Sequence, residues 1–579
     1  MIYPSPKWQT AVKLAFAQSS MPKIPSGDTV IGSLVDEHKR ALAVCVAGGS
    51  PCFLTVAPDR IYIQLCGAGG ECLLHLDSSI VNGLIVRQCN VAVTDAFDAA
   101  VAAAFTLSVV EPSMSGIGGR LQVIYKQAEG GILGIDATTQ IPESFKNITQ
   151  ELPSFGYSTI GIPGVVAGLI KLHEENGVLD LKTVMEPSIT LAEDGFYLYP
   201  GEIKRQQSDK EKIESFDGTK LYFLNSKGES FEPGDKLVQK DLANTLQIIS
   251  ENGKKGFYEG EIANKIVNDI QANGGYITKD DLKNYTAKKS EVLTGKFDGY
   301  DIHTLNLPSY GSITIQMIQI FDQLKIENER DWTLKISSAV EESYKYRFFQ
   351  KNPDSVNSIL SINRAKQIAS YIEDNQSEVA FKPNLHKFNS ADLAQGHTAH
   401  LTTSDKYGNV VSLTQTLGPN MGSKVATKGL GFLYNVTMGP YLGGYLGEDK
   451  PGDRASSHIS PTIFTKGDKV ALALGAAGGN KIPIAINQVA YRYLKQKIPL
   501  VESLIMPRVY KYESPIYIES HLGINRFNDY QIYSESQNVE RIRTEAYFGR
   551  VHAIALDTIN NRWLGSADPD WEGSVSEFE

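Results

Sequence analysis

The chain has 579 residues, of which 42% are hydrophobic and 21% charged, ample material for a folded core. Its formal charge is −10 and it has no basic block, which argues against nucleic-acid binding. No apolar run reaches the roughly 18 residues of a membrane span, and Leu14 to Ala17 is too short for a signal-peptide core. The expectation is a cytoplasmic protein, with export left open.

All five cysteines lie between Cys45 and Cys89. An odd, clustered count argues against a disulfide framework. Cys66, Cys72 and His75 match no common zinc spacing, so buried thiols are expected and no metal. There is no phosphate loop, dinucleotide fingerprint or metalloprotease helix motif, so no cofactor is expected.

Further along, Asp95 to Phe105 reads as an alanine-rich helix capped by Thr94. Gly118-Gly119 marks a turn before a strand at Leu121 to Tyr125. Pro163-Gly164 opens a helical pattern through Leu169 and Leu172. Glu186 to Asp194 is a second helix, stopped near Gly195. Leu242 to Ser250 and Ile262 to Ile270 are amphipathic helices, and Asp280 to Lys283 starts a short one. Val470 to Leu474 is a buried strand running into Gly475-Ala476-Ala477-Gly478-Gly479. Mixed helices and strands with one late hairpin predict a layered protein.

That hairpin is the most informative segment. Thr398, His400 and Thr402 alternate, so on a strand they share one face. Ser404 to Asn409 reads as a turn and Val410 to Thr416 as the return strand. With the hairpin centred on Tyr407 and no bulge, Thr416 falls opposite Thr398. Two readings are open at this point. Both threonines are ordinary strand formers, or Thr398 is a nucleophile that becomes N-terminal when the chain cuts itself before it. A threonine hydroxyl needs a base, and a free α-amine on the same residue is one, with a pKa near neutrality.

The segments DAFDAAVAAAF (95–105), VVEPSMSGIGG (109–119), GIPGVVAGL (161–169) and EPSITLAEDGF (186–196) resemble the γ-glutamyltransferase family of N-terminal-nucleophile hydrolases. So do GHTAH (396–400), SPTI (460–463), GAAGGNKI (475–482) and GSADPDWEG (565–573). The resemblance runs from about residue 83 to the end. It implies an α+β, four-layer αββα fold, with a large-subunit part 83–397 and a small-subunit part 398–579. Residues 1–82 are an added or diverged segment. It also implies self-cleavage between His397 and Thr398, with the two products staying together as a heterodimer. Thr398 is then the nucleophile, Thr416 its orienting partner, and Gly478 and Gly479 the oxyanion hole. His400 is expected to pack or hydrogen-bond.

The substrate pocket departs from the family pattern. Thr138 stands where the family has an arginine, and Gly418 where it has asparagine. Pro440 replaces an aspartate and Thr437 an acidic or amide residue. A serine pair becomes Ser457-His458. A buried zwitterionic head group needs paired charges, so the expected substrate is an amide or acyl compound other than a simple γ-glutamyl one. The alternatives are a true γ-glutamyl transferase or glutathione hydrolase, and a non-catalytic scaffold of the same fold. Small-molecule or peptide-like amides are the expected partners, with no nucleic acid and no membrane.

Overall fold

The computed structural model describes residues 95–145, 153–375, 397–439, 450–511, 516–519, 548–568 and 573–576, and the backbone of strands within 30–74 and at 539–542. The chain divides into two units, residues 1–80 and 81–579.

The first unit carries an antiparallel meander in sequential order: β1 (Val30–Val35), β2 (Ala41–Ala47), β3 (Ser50–Ala57), β4 (Arg60–Cys66) and β5 (Cys72–Leu74). Its backbone register sets Cys45 against Cys52 and Cys66 against Cys72. The cysteine side chains, Thr94 and Pro440 lie outside the described residues.

In the second unit, α1 (Ala96–Val110) is capped by Asp95, whose carboxylate accepts from the N–H groups of Phe97 and Asp98. β6 (Arg120–Lys126) and β7 (Ile132–Ala137) follow, then α2 (Val165–Asn176) and α3 (Leu181–Asp194). The sequence places the start of α3 at Glu186. It starts earlier because Asp180 caps it by accepting from the Thr183 N–H, and Pro187 is carried inside the helix. Next come α4 (Lys240–Asn252), α5 (Gly260–Ala272), β8 (Lys288–Ser290), β9 (Val292–Phe297), β10 (Tyr300–Leu305) and α6 (Gly311–Gln323). The hairpin is β11 (His397–Ser404) and β12 (Val410–Gly418). It is followed by β13 (Thr462–Lys466), β14 (Lys469–Ala477), α7 (Ile482–Ala490), β15 (Arg550–Asp557) and β16 (Arg562–Ala567).

The two larger sheets of this unit are antiparallel, ordered β8-β7-β6-β12-β11 and β9-β10-β13-β14-β15-β16. Strand alternation supplies three apolar layers between four structural ones. Leu121, Val123 and Leu413 pack on α1, α2, α4 and α5. Leu472 and Leu474 pack on α6 and α7. Ile124, Val410, Ile463, Ala473 and Ile554 fill the space between the sheets. The inter-sheet face of β12 is apolar at Val410 but polar at Ser412, Thr414 and Thr416, and that change in polarity marks the site.

Candidate active site

β11 and β12 pair in the predicted register from Ser404/Val410 back to Ala399/Gln415. A bulge follows, and His397 pairs with Gly418. Thr416 and Leu417 therefore both oppose Thr398. The bulge keeps the hydroxyls together: Thr398 Oγ1 donates to Thr416 Oγ1 at 3.2 Å. Thr416 Oγ1 in turn donates to the His397 carbonyl oxygen at 2.6 Å and accepts from the Gly418 N–H at 2.9 Å. Gly418 adopts φ +103°, a conformation that suits glycine. Both threonines are buried. One hydroxyl thus touches both the peptide carbonyl at 397 and the Thr398 side chain.

His400 shares the inter-sheet face. Its Nδ1 lies 2.7 Å from Thr414 Oγ1, and its ring rests on β14, where a Cβ at Gly475 would come within 2.2 Å of Cε1. Burial holds its pKa well below the ordinary value, so it is neutral. β14 is followed by Gly478 (φ +141°) and Gly479 (φ +60°), which lead through a short 3-10 turn into α7. A Cβ on Gly478 would sit 2.7 Å from the Gly549 Cα, so only glycine fits there.

His397 is buried and neutral. Burial is the main cause, reinforced by Arg550, Arg205 and Lys424, with Asp209 opposing them. Arg205 is tied to Glu202 and Ser113. Lys424 bonds Asp209 at 2.8 Å, and burial brings its pKa down to about 8. Arg550 pairs in register with Ala477, just before the glycine pair.

The predicted substrate residues lie in two places. Ser457 and His458 sit beside the glycine turn. The Ser457 N–H donates to the Pro308 carbonyl, and the His458 ring lies tilted 4.4 Å from Tyr310 and 6.4 Å from Tyr344, whose hydroxyl bonds the Asn480 carbonyl. Burial lowers the His458 pKa to about 3. Thr138 and Thr437 are fully engaged within the protein. Thr138 Oγ1 donates to Asp136 at 2.6 Å, and Thr437 Oγ1 bonds Thr139 and Asn435, each at 2.6 Å.

Two guanidinium groups escape the sequence reading. Arg454 donates to the Thr138 carbonyl at 2.8 Å and lies 4.2 Å over the Tyr285 ring. Arg120, buried, pairs in register with Thr416 and donates to the Val436 carbonyl. Arg120 had a signal. It follows Gly118-Gly119 directly, and starting the strand there rather than at Leu121 sets it opposite Thr416. Arg454 is a lone loop arginine whose partner lies 316 residues away, so local pattern gives no hint of it. Among the described residues no cluster of His, Cys, Asp or Glu could hold a metal ion, and no helix is long and apolar enough to cross a membrane.

Two facing antiparallel sheets between helical layers, with a threonine on the last strand of one sheet, define the N-terminal-nucleophile hydrolase fold. The crystal structure of cephalosporin acylase from Bacillus halodurans has this fold. It superimposes with a TM-score of 0.73 over 84% of this chain and 92% of that one, at 23% identity. The gamma-glutamyltranspeptidase family model matches residues 93–578, and the chain belongs to that family. The glutathione hydrolase proenzyme of Escherichia coli (strain K12) is 30% identical over 454 residues, 72% of this chain and 76% of that protein. The capsule biosynthesis protein CapD proenzyme of Bacillus anthracis is 29% identical over 476 residues, 82% and 84% respectively. The chain is thus an amide-bond hydrolase or acyltransferase of this family.

Proposed function

We propose that the chain cleaves itself between His397 and Thr398, and that Thr398 then transfers acyl groups from a donor other than a simple γ-glutamyl compound. The observation that carries this reading is the Thr416 hydroxyl. It lies 2.6 Å from the His397 carbonyl oxygen and 3.2 Å from Thr398 Oγ1. Attack of Thr398 Oγ on the residue-397 carbonyl forms an ester and breaks the peptide C–N bond. The nitrogen keeps its hydrogen and gains the hydroxyl proton, becoming the α-amine. Water then hydrolyses the ester, freeing residues 1–397 from 398–579, which remain associated. In each later turnover the amine takes the Oγ proton as Oγ attacks the donor carbonyl. Gly478 and Gly479 N–H groups hold the oxyanion, and the amine returns the proton to the leaving nitrogen. Water or an acceptor amine then attacks the acyl ester, the α-amine takes its proton, and the proton passes to Thr398 Oγ as the acyl product leaves.

The substrate reading rests on Thr138 and Thr437. Their hydroxyls are turned onto protein partners, and neither carries charge. Ser457, His458 and Gly418 remain the proposed substrate contacts near the glycine turn and the nucleophile. A true γ-glutamyl enzyme is the second reading. Arg120 and Arg454 favour it, because either guanidinium is a potential carboxylate partner near this row of the sheet.

Intact mass and kinetics test both parts. The wild type is expected as two chains, 1–397 and 398–579, and Thr398→Ala as one. An uncut, fully active wild type would overturn the nucleophile. Two charge-assisted contacts, each worth about 1.5–3 kcal/mol, would be missing for a γ-glutamyl donor. A kcat/KM for glutathione above about 10⁴ M⁻¹s⁻¹ on processed enzyme would overturn the substrate reading in favour of the second.

A further inference from the structure

The processed Thr398 has one chemical requirement that the hydroxyl geometry does not meet. Its α-amine must be unprotonated to accept the Oγ proton. An ordinary α-amine has a pKa of about 7.7–8.0, so near neutrality most of it is ammonium and inactive as a base. A fixed positive charge nearby disfavours the ammonium form and lowers that pKa.

Arg120 is placed to do this. It pairs in register with Thr416 across β6 and β12, and both residues are buried. Its guanidinium reaches across β12 to Gly418 and Val436. Nη2 donates to the Val436 carbonyl, and a Cβ built on Gly418 would lie 3.9 Å from Nη2. Gly418 is the residue that pairs with His397 and donates to Thr416 Oγ1. The nitrogen that becomes the α-amine belongs to the peptide joining His397 and Thr398, directly across the hairpin from Gly418 and Thr416. The guanidinium therefore lies against Gly418, the residue across the hairpin from the peptide bond whose cleavage releases the base.

We infer that Arg120 is a positioning residue for proton transfer: its fixed charge keeps the Thr398 α-amine in the free-base form at neutral and mildly acidic pH. The inference rests on Thr398 being the processed nucleophile, and it adds how the base is tuned. Arg120 makes no covalent contact with substrate. It acts through the field it imposes on the amine.

Other charges lie close to this end of the hairpin, where they act on the neighbouring His397 ring. Arg550 comes from β15 and has the same sign as Arg120. Arg205 comes from the helix at residues 200–208 together with Glu202, and Lys424 from the turn after β12 together with Asp209. Those two cations are each tied to a carboxylate, so their fields are partly cancelled. His397 and His400 are neutral and contribute little. Deleting Arg120 removes one positive charge whatever else balances it, and the direction of the effect is fixed.

The test uses the processed two-chain enzyme, with cleavage first verified by intact mass. A chain that stays uncut sinks the nucleophile reading and is seen before any titration. On cut enzyme, the acid limb of kcat/KM against pH reports the amine in free enzyme. Arg120→Gln is expected to move that limb upward by about one pH unit, the effect of removing one charge at this range. Arg120→Lys keeps the charge and is expected to restore it to within about a quarter of a unit. A purely structural role would change kcat or stability and leave the limb in place. An unmoved limb in Arg120→Gln, or the same upward shift in Arg120→Lys, overturns the inference. If Arg120→Gln fails to fold or to cut, the wild type still decides. The rate at which cyanate carbamylates the new N-terminus follows the free-base fraction. A wild-type midpoint at or above about 7.7 refutes the inference, one below it that Arg550→Gln leaves in place upholds it, and one that Arg550→Gln raises to the ordinary range overturns the assignment to Arg120.

Discussion

Changing Thr416 to valine removes one hydroxyl and nearly nothing else, so it isolates what that hydroxyl does. The group makes three contacts: to the His397 carbonyl at 2.6 Å, to the Gly418 N–H at 2.9 Å and to Thr398 Oγ1 at 3.2 Å. A valine methyl fills the same space but leaves the carbonyl and the N–H unpaired. Each unpaired buried group costs about 1–3 kcal/mol, so some loss of stability is expected. The larger effect is on rate. In the proposed self-cleavage, negative charge develops on the His397 oxygen as Thr398 Oγ attacks, and Thr416 is a donor aimed at that oxygen. Losing one such donor typically costs about 2.7–4 kcal/mol, or roughly 100- to 1000-fold. The assay follows freshly synthesised 579-residue chain on a denaturing gel as it converts to 1–397 and 398–579. Thr416→Val is expected to slow conversion by that factor, and Thr416→Ser to stay within a few-fold of wild type. Conversion of a folded Thr416→Val protein at the wild-type rate would show that Thr416 does not polarise this carbonyl.

Two further outcomes follow from the same geometry. In Gly478→Ala the new Cβ would meet the Gly549 Cα at 2.7 Å in a left-handed backbone. Turnover of processed enzyme is expected to fall roughly 100- to 1000-fold, and unchanged kcat/KM would place the oxyanion hole elsewhere. The buried histidines predict a pH dependence of stability. His458 has a folded pKa of about 3, below its unfolded value near 6.5, and His397 and His400 are shifted the same way. The unfolded chain binds protons below 6.5 that the folded chain refuses. Stability is thus full above about pH 6.5 and lost as pH falls towards 3, by up to about 1.4 kcal/mol per pH unit for each histidine. The Tm of the uncleaved Thr398→Ala protein should drop between pH 6.5 and 5, and His458→Gln should lessen the slope. A flat Tm over that range would refute the assignment of neutral, buried imidazoles.

Sequence by itself determined part of the elements: α1 to α5, β6, the hairpin of β11 and β12, and β14. The alternation in β11 and β12 was legible because strand periodicity is local, and so were the amphipathic α4 and α5. The register of the hairpin was legible from its turn as far as Ala399/Gln415. Tertiary structure decided the rest. The bulge opposite Thr398 depends on Gly418 taking a left-handed conformation while Val436 packs behind it, and a pairing rule counted from the turn does not include that. The start of α3 at Leu181 depended on the Asp180 cap, and Pro187 is held inside a helix that buries Val184, Met185, Leu191 and Ala192 in the core. The environment of the site was the least legible part. Arg120 meets Thr416 from a strand nearly 300 residues earlier, Arg454 reaches the Thr138 carbonyl, and Gly475 yields its side-chain space to His400. Composition and spacing report which groups a chain owns. Which buried charge faces which hydroxyl is set by sheet order and layer packing, because electrostatic influence depends on distance in space and not along the chain.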